Sequence, residues 1–304
     1  MYRLDDLDVK ILRALGSPGS LQWNVRVSYS SIARRLGVDE ETVRRRLKRA
    51  EDAGAFPGWK MMLNPRLIGC EAASLDVDVQ DEKTKGRAID EIKRLAGVIK
   101  ILNFRGSGLQ ATLYHRGEES LGRTAGRIDS ICGSREPTVW KLGFPRPSVR
   151  MTATDWQILK AMLDDARKSL EPVSLSVGVS TRTVERRLTL MSEGRAVYLQ
   201  GTPVFGKHAG LGCVFLVFCP DKRRKKEVDQ LVLSKARRVD LSNTTSERHS
   251  TFVMVYDNLT EADEAKAWIG ALEGVEGVKM GVMKELIVVQ DWLRDEIDGR
   301  LSAR

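Results

Sequence analysis

Gly37-Val38-Asp39-Glu40-Glu41-Thr42-Val43-Arg44-Arg45-Arg46-Leu47 returns 141 residues later as Gly178-Val179-Ser180-Thr181-Arg182-Thr183-Val184-Glu185-Arg186-Arg187-Leu188. The same offset lays Gly69 on Gly210, each just ahead of a strand-like run. Upstream, Asp8-Val9-Lys10-Ile11-Leu12 meets Asp155-Trp156-Gln157-Ile158-Leu159 at an offset of 147. The six-residue difference falls in the loop between the first two helices, where length changes are tolerated. Two matches in the same order make the chain a tandem duplication.

Each copy divides again. Asp5 to Leu15 reads as a helix with Leu7, Ile11, Leu12 and Leu15 on one face. Ser28 to Leu36 is a second, with Ser28 as its cap and Gly37 as its end. Asp39 caps a third, in which Val43, Leu47 and Ala50 share a face and Gly54 is the stop. Two helices joined by a short glycine-containing turn are a helix-turn-helix. Phe56 to Leu63, holding Pro57-Gly58, reads as a small wing hairpin.

From Cys70 the period becomes that of a strand: Ala73, Leu75, Val77 and Val79 alternate with polar residues. A helix with Ile89, Ile92 and Leu95, a strand over Ile99 to Phe104 and a Gly106-Ser107-Gly108 hairpin follow. Leu109 to Tyr114, a helix through Leu121 to Ile131 and a strand over Thr138 to Phe144 complete a β-α-β-β-α-β, ferredoxin-like unit. The second copy repeats this with strands over Val214–Phe218, Arg238–Asn243, Thr251–Tyr256 and Val278–Val289. Pro172-Val173-Ser174-Leu175-Ser176-Val177, β-branched and uncharged, stands in the place of its second helix. The fold class is α+β. The expected domains are winged helix-turn-helix over 1–69 and 150–210, and ferredoxin-like over 70–145 and 211–293.

The chain of 304 residues has a formal net charge of +9. From Met1 to Arg150 there are 27 Lys+Arg against 19 Asp+Glu, and 23 against 22 in the remainder. A basic first half points to a polyanionic partner, double-stranded DNA before any membrane. Cys70, Cys132, Cys213 and Cys219 form no CxxC, which reads as free thiols in a reducing compartment. The N-terminus has no apolar leader and the longest apolar run, Leu211 to Cys219, is only strand-sized. A cytoplasmic protein is expected.

The residues resemble a known family. Leu4-Asp5-x-x-Asp8-x-x-Ile11-Leu12, Ile32-Ala33-x-x-Leu36-Gly37-Val38 and Thr42-Val43-x-Arg45-Arg46-Leu47-Lys48-Arg49 look like the Lrp/AsnC regulators of bacteria and archaea. Gly58-Trp59 and Leu63-Asn64-Pro65-x-x-x-Gly69 continue the likeness, and the second copy shares it more loosely. The resemblance implies a winged helix-turn-helix that reads DNA, joined to a ferredoxin-like domain that pairs subunits and often binds an amino acid. Members usually carry one copy and dimerise, so two fused copies imply an intramolecular pseudo-dimer, or a homo-dimer of the whole chain. The family's effector site uses a hairpin glycine followed by an aspartate. Here Gly106 and Gly108 are the candidate effector positions, and Leu109-Gln110 follow instead.

Within that frame the DNA-contact candidates are Tyr29, Ser30, Thr42, Arg44, Arg45, Arg46, Lys48 and Arg49, with Arg182, Thr183, Arg186 and Arg187 in the second copy. A recognition helix presents its first residues to base edges, and arginine's donor fork matches guanine or phosphate. Glu185 replaces Arg44, and Leu175 and Ser176 replace Arg34 and Arg35, so the first module is expected to dominate affinity. Lys222-Arg223-Arg224-Lys225-Lys226 reads equally as a solvated helix start.

No catalytic constellation, metal set or cofactor motif stands out: His115, His208 and His249 are scattered and Gly106-Ser107-Gly108 lacks a phosphate-loop lysine. One enzyme class shares the architecture and is the alternative. Siroheme decarboxylases resemble fused or paired chains of this type, with arginine and histidine opening the third strand of the α/β domain, near Arg248 and His249 here. The aromatic and asparagine residues that should follow are replaced by Ser250-Thr251-Phe252-Val253.

Overall fold

The computed structural model describes residues 4–15, 21–133, 137–202, 204, 210–235, 239–243, 246 and 248–303. The first copy opens with helices α1 (Asp6–Leu15), α2 (Tyr29–Leu36) and α3 (Glu40–Asp52). Ser28 and Asp39 cap α2 and α3 by accepting from the Ser31 and Thr42 N–H groups. Gly37 ends α2 at φ 70°, a left-handed conformation that costs a residue with a Cβ about 1 kcal/mol. Ile11, Leu15, Ile32 and Val43 fill the space between the three helices.

Strand β1 (Trp59–Leu63) follows, then β2 (Glu71–Asp78), α4 (Lys85–Ile92), β3 (Val98–Phe104), β4 (Gly108–His115), α5 (Gly117–Cys132) and β5 (Thr138–Leu142). The second copy supplies α6 (Ala153–Met162), α7 (Leu170–Val177), α8 (Thr181–Glu193), β6 (Val197–Gly201), β7 (Leu211–Phe218), α9 (Lys222–Lys235), β8 (Val239–Asn243), β9 (His249–Tyr256), α10 (Leu259–Gly270) and β10 (Gly277–Val288). Pro172 stands in the first turn of α7, where its missing N–H removes no helical bond. A last helix, α11 (Asp291–Ser302), has no counterpart in the first copy.

The wing corrects an expectation. Phe56 to Leu63 does not form a hairpin within its own module; β1 pairs antiparallel with β6 of the other copy, Met61 opposite Leu199. A hairpin of so few residues is marginal alone, and the duplication supplies a full-length partner strand instead. The cores of the two helix-turn-helix modules therefore merge, and Leu293 and Ile297 of α11 are buried in the same cluster.

Each α/β unit has the ferredoxin-like order, β5-β2-β4-β3 and β10-β7-β9-β8. The two join edge to edge through β3 and β10 into one eight-stranded sheet, with β10 pairing to β7 over its first half and to β3 over its second. In a flat sheet β5 and β7 would lie more than about 20 Å apart at about 4.8 Å per strand. Yet Trp140 of β5 reaches Phe218 of β7 at 5.3 Å between ring centroids. The sheet is therefore curled so that its halves face each other. Leu102, Val214, Val253, Val255 and Met283 pack between them, while α4 and α5 cover one outer face and α9 and α10 the other. The Cys70, Cys132, Cys213 and Cys219 thiols are all buried and free. Among the described residues no helix is long and apolar enough to cross a membrane.

Candidate nucleic-acid interface

Val43 and Ala50 turn one face of α3 inward, with Leu47 packed on the same core, and leave the opposite face to solvent. Arg44 and Arg45 are exposed, as are Lys48 and Arg49. Arg44 pairs with Glu40 at 2.7 Å and more loosely with Glu41 at 3.8 Å, both in the first turn. Such exposed pairs hold with little energy, so the arginine is readily exchanged to another acceptor. Lys48 pairs with Asp52 one turn on. Arg45 makes no ion pair among the described residues. Thr42 is absorbed in the cap, its hydroxyl donating to Asp39 at 2.8 Å, and Ser30 is exposed with its hydroxyl 3.2 Å from that of Ser28.

Arg46 corrects the expectation placed on it. Its Nη1 donates to Asp5 at 2.6 Å and to the buried Asp8 at 2.9 Å, so it ties α3 to α1 and faces away from the exposed side. Arg187 does the same in the second module, donating from Nε to Asp155 at 2.5 Å. Asp155 is fully buried. Burial works to raise its carboxyl pKa, but the Arg187 guanidinium and the Thr152 donors prevail and hold it below the ordinary carboxylate range. Arg46 and Arg187 are anchors. Around Arg187, α8 exposes Arg182 and Arg186 together with Glu185, and half-buries Thr183.

The start of α2 carries a group that sequence reasoning missed. The Tyr29 ring lies between two guanidiniums, Arg44 at 5.4 Å and Arg167 at 4.8 Å from its centroid. Arg167 comes from the loop between α6 and α7 of the other module, and its Nη1 donates to the Val27 carbonyl at 2.9 Å. Arg26 returns the contact, donating to the Lys168 carbonyl at 3.2 Å. The only sequence cue was the offset itself, since 26 and 167 are also 141 apart.

The Gly106-Ser107-Gly108 hairpin edges a cleft of about 720 Å³ between the halves of the sheet, with Asp76, Asp78, Thr138 and Lys279 on its walls. The Ser107 hydroxyl donates to Asp78 at 2.7 Å, and the Lys85 ammonium to the Gly106 carbonyl at 2.5 Å. An aspartate is thus present, from the neighbouring strand rather than from the residues after the glycine. Asp76 is already engaged by Gln110 at 2.7 Å and by the Trp140 indole at 3.0 Å.

Arg248 and His249 line a different cleft of about 600 Å³, with His115 and Trp140. His249 is buried against Trp140, 4.8 Å between ring centroids. Burial, helped by the Lys225 charge, pushes its imidazole down to about 4. Among the described residues no group of three or more His, Cys, Asp or Glu is placed to hold a metal.

The AsnC-type helix-turn-helix domain model matches the chain twice, over residues 4–51 and 151–191. An HTH-type transcriptional regulator of Methanocaldococcus jannaschii is 33% identical over 104 residues, 34% of this chain and 66% of that protein. A regulator of Pyrococcus abyssi is 34% identical over 30% of this chain and 56% of its own length, so the chain spans under two thirds of these relatives. The transcriptional regulator LrpA of Pyrococcus horikoshii is 27% identical over 134 residues, 42% of this chain and 90% of that one. Among solved structures, the siroheme decarboxylase NirDL superposes over 98% of this chain and 99% of its own at a TM-score of 0.54. Its identity is 13%, so that likeness is one of fold. The chain thus carries an AsnC-type helix-turn-helix at both positions of its repeat, and the sequence relatives named here are HTH-type transcriptional regulators.

Proposed function

We propose that the protein is a sequence-specific regulator of transcription that binds double-stranded DNA in the cytoplasm, led by its first helix-turn-helix. The observation that carries this is the outward face of α3, where Arg44, Arg45, Lys48 and Arg49 stand together beside Tyr29. Arg44 and Arg45 are near the start of the helix and suit base edges; Lys48 and Arg49, a turn later, suit the backbone. Arg182 and Arg186 give the second module a weaker version, with Glu185 between them. The two modules act as an intramolecular pseudo-dimer, joined through β1 and β6. A small-molecule effector fits the hairpin cleft at Gly106 and Gly108, whose walls include strands of both halves of the sheet. Filling it would alter how the halves, and the modules mounted on them, are held.

The test is binding of the full chain to genomic promoter fragments, its own among them, across a salt series. The native chain, Arg44→Ala/Arg45→Ala and Arg182→Ala/Arg186→Ala are compared. Tight binding that falls steeply with salt and is lost chiefly in the first variant supports the reading. No binding by the native chain at low salt removes it, and equal loss in both variants removes the primacy of the first module.

A further inference from the structure

Three guanidiniums gather at the start of α2. Arg167 and Arg44 flank the Tyr29 ring, and Arg26 sits beside them with its side chain half-buried. Burial first and then the nearby Arg167 charge lower the Arg26 pKa, a sign that the two guanidiniums feel each other. Acids are shared unequally among them. Arg44 has Glu40 and Glu41, and Arg26 feels Asp165 and Glu185. Arg167 pairs with no carboxylate among the described residues, although one of its nitrogens holds the Val27 carbonyl. Bringing like charges together opposes folding unless an anion offsets them. The anion that meets the start of a helix-turn-helix's first helix, which crosses the DNA backbone, is a phosphate.

We propose that Arg167, though it belongs to the second module, is a phosphate contact of the first module's DNA face, with Tyr29 as the platform it shares with Arg44. This rests on the DNA-binding reading above. The cluster has no mirror image. By the offset of 141, Leu170 stands where Tyr29 would, and Glu185 where Arg44 would. Arg26, the mate of Arg167, therefore has an acid for a neighbour instead of an arginine-flanked ring. The second module's loop lends its cation to the first, and the first lends nothing equivalent back. Arg167 thus adds to the dominance of the first module from outside it.

Two DNA probes test this on the full chain: a duplex of about 30 base pairs selected by the native chain from randomised sequence, and the alternating dA-dT polymer, read from about 50 to 200 mM salt. Arg167→Ala should weaken both probes alike, by about three- to tenfold, and make log K against log salt shallower by about 0.9. Arg167→Lys should keep most of the slope. Arg26→Ala breaks the mirror-image bond to the Lys168 carbonyl and should leave the slope unchanged. Equal losses in Arg167→Ala and Arg26→Ala with the native slope would make Arg167 a strut between modules and overturn the proposal. So would native binding by Arg167→Ala where Arg44→Ala/Arg45→Ala fails, a result that spares the regulator reading. Failure of the native chain on both probes at low salt removes both.

Discussion

Arg26 and Arg167 occupy the same place in the duplicated sequence, and each donates to the carbonyl of the residue that follows the other. The distances are 3.2 Å from Arg26 to Lys168 and 2.9 Å from Arg167 to Val27. The reciprocity marks an approximate twofold axis between the two helix-turn-helix modules, the same axis about which β1 and β6 pair antiparallel. Leu199 N–H donating to the Gln22 carbonyl at 2.8 Å and Met61 N–H to the Leu163 carbonyl at 3.1 Å belong to the same seam. Main-chain bonds and a common apolar core therefore fix the relative orientation of the modules, and the linker from Leu142 to Ala153 does not have to.

Arginines that anchor and arginines that reach outward should separate cleanly by measurement. Removing Arg46 takes the guanidinium from the buried Asp8, and removing Arg187 takes it from the fully buried Asp155. A buried carboxylate that loses its cation costs about 3 kcal/mol. Arg46→Ala and Arg187→Ala should each lower urea-unfolding stability by about that amount, whereas Arg44→Ala and Arg45→Ala should change it by less than about 0.5 kcal/mol. Asp155, with its folded pKa held below the unfolded value, adds stability at neutral pH that is lost as pH falls through the carboxylate range. Arg187→Ala should flatten that acid limb. Equal stability for all four variants would return Arg46 and Arg187 to the exposed face.

The helix-turn-helix modules were legible because their signals are local: caps at Ser28 and Asp39, glycine ends and apolar spacing all lie within a few residues of one another. The anchoring role of Arg46 and Arg187 was not, since their acids are 38 and 32 residues away. A cue existed. Asp8 and Asp155 recur ahead of matching Ile-Leu pairs, three residues before Ile11 and Ile158, on faces that turn inward. A repeated acid in an inward register needs a cation. The β1–β6 pairing left no local trace, because Trp59-Lys60-Met61-Met62-Leu63 is mostly buried on both faces and lacks alternation. In α11, Trp292, Leu293, Ile297 and Leu301 carry helical spacing, but no repeat marks it.

His249 should remain neutral well below the usual imidazole range. Its folded pKa of about 4 lies under the ordinary imidazole value of 6.5, because burial, with the Lys225 charge, penalises the imidazolium. The unfolded chain takes up a proton near pH 6.5 that the folded chain refuses until about pH 4. Stability from this group is complete above 6.5 and is lost as pH falls towards 4. His249→Phe, which keeps an aromatic ring against Trp140, should lose about 2–3 kcal/mol less than the native chain between pH 7 and pH 4. Parallel curves for the two proteins would place the proton elsewhere.

Gly54 and Arg195 are equivalent in the repeat, and both hold a left-handed backbone, at φ 67° and 53°. A Cβ at Gly54 would meet nothing within 4 Å, so Gly54→Ala should cost only the backbone term, about 1 kcal/mol. Arg195 bears that strain, and its guanidinium lies 5.5 Å from the Trp23 ring centroid. The stack contributes about 0.5–1 kcal/mol, close to the strain it offsets. Arg195→Gly should therefore leave the melting temperature within a few degrees of native, while Gly54→Ala lowers it. A clear gain from Arg195→Gly would mean that the stack on Trp23 contributes little.

Gln290, between β10 and α11, is buried and joins three parts of the chain at once. Its Nε2 donates to the Met61 carbonyl at 2.9 Å, in the wing of the first module, and to the Leu163 carbonyl at 2.7 Å, at the end of α6 in the second. The Leu163 carbonyl also accepts from the Met61 N–H, so Gln290 completes a small closed set of polar groups inside the shared core. Gln290→Leu keeps the bulk and removes both donors, leaving the Met61 and Leu163 carbonyls short of partners. That deficit costs about 1–2 kcal/mol. Hydrogen exchange should quicken at the Met61 and Ala166 amides, which close the seam, and stay slow in β4, an interior strand held between β2 and β3. Uniform quickening across the chain would instead mean that the seam opens only when the whole molecule unfolds.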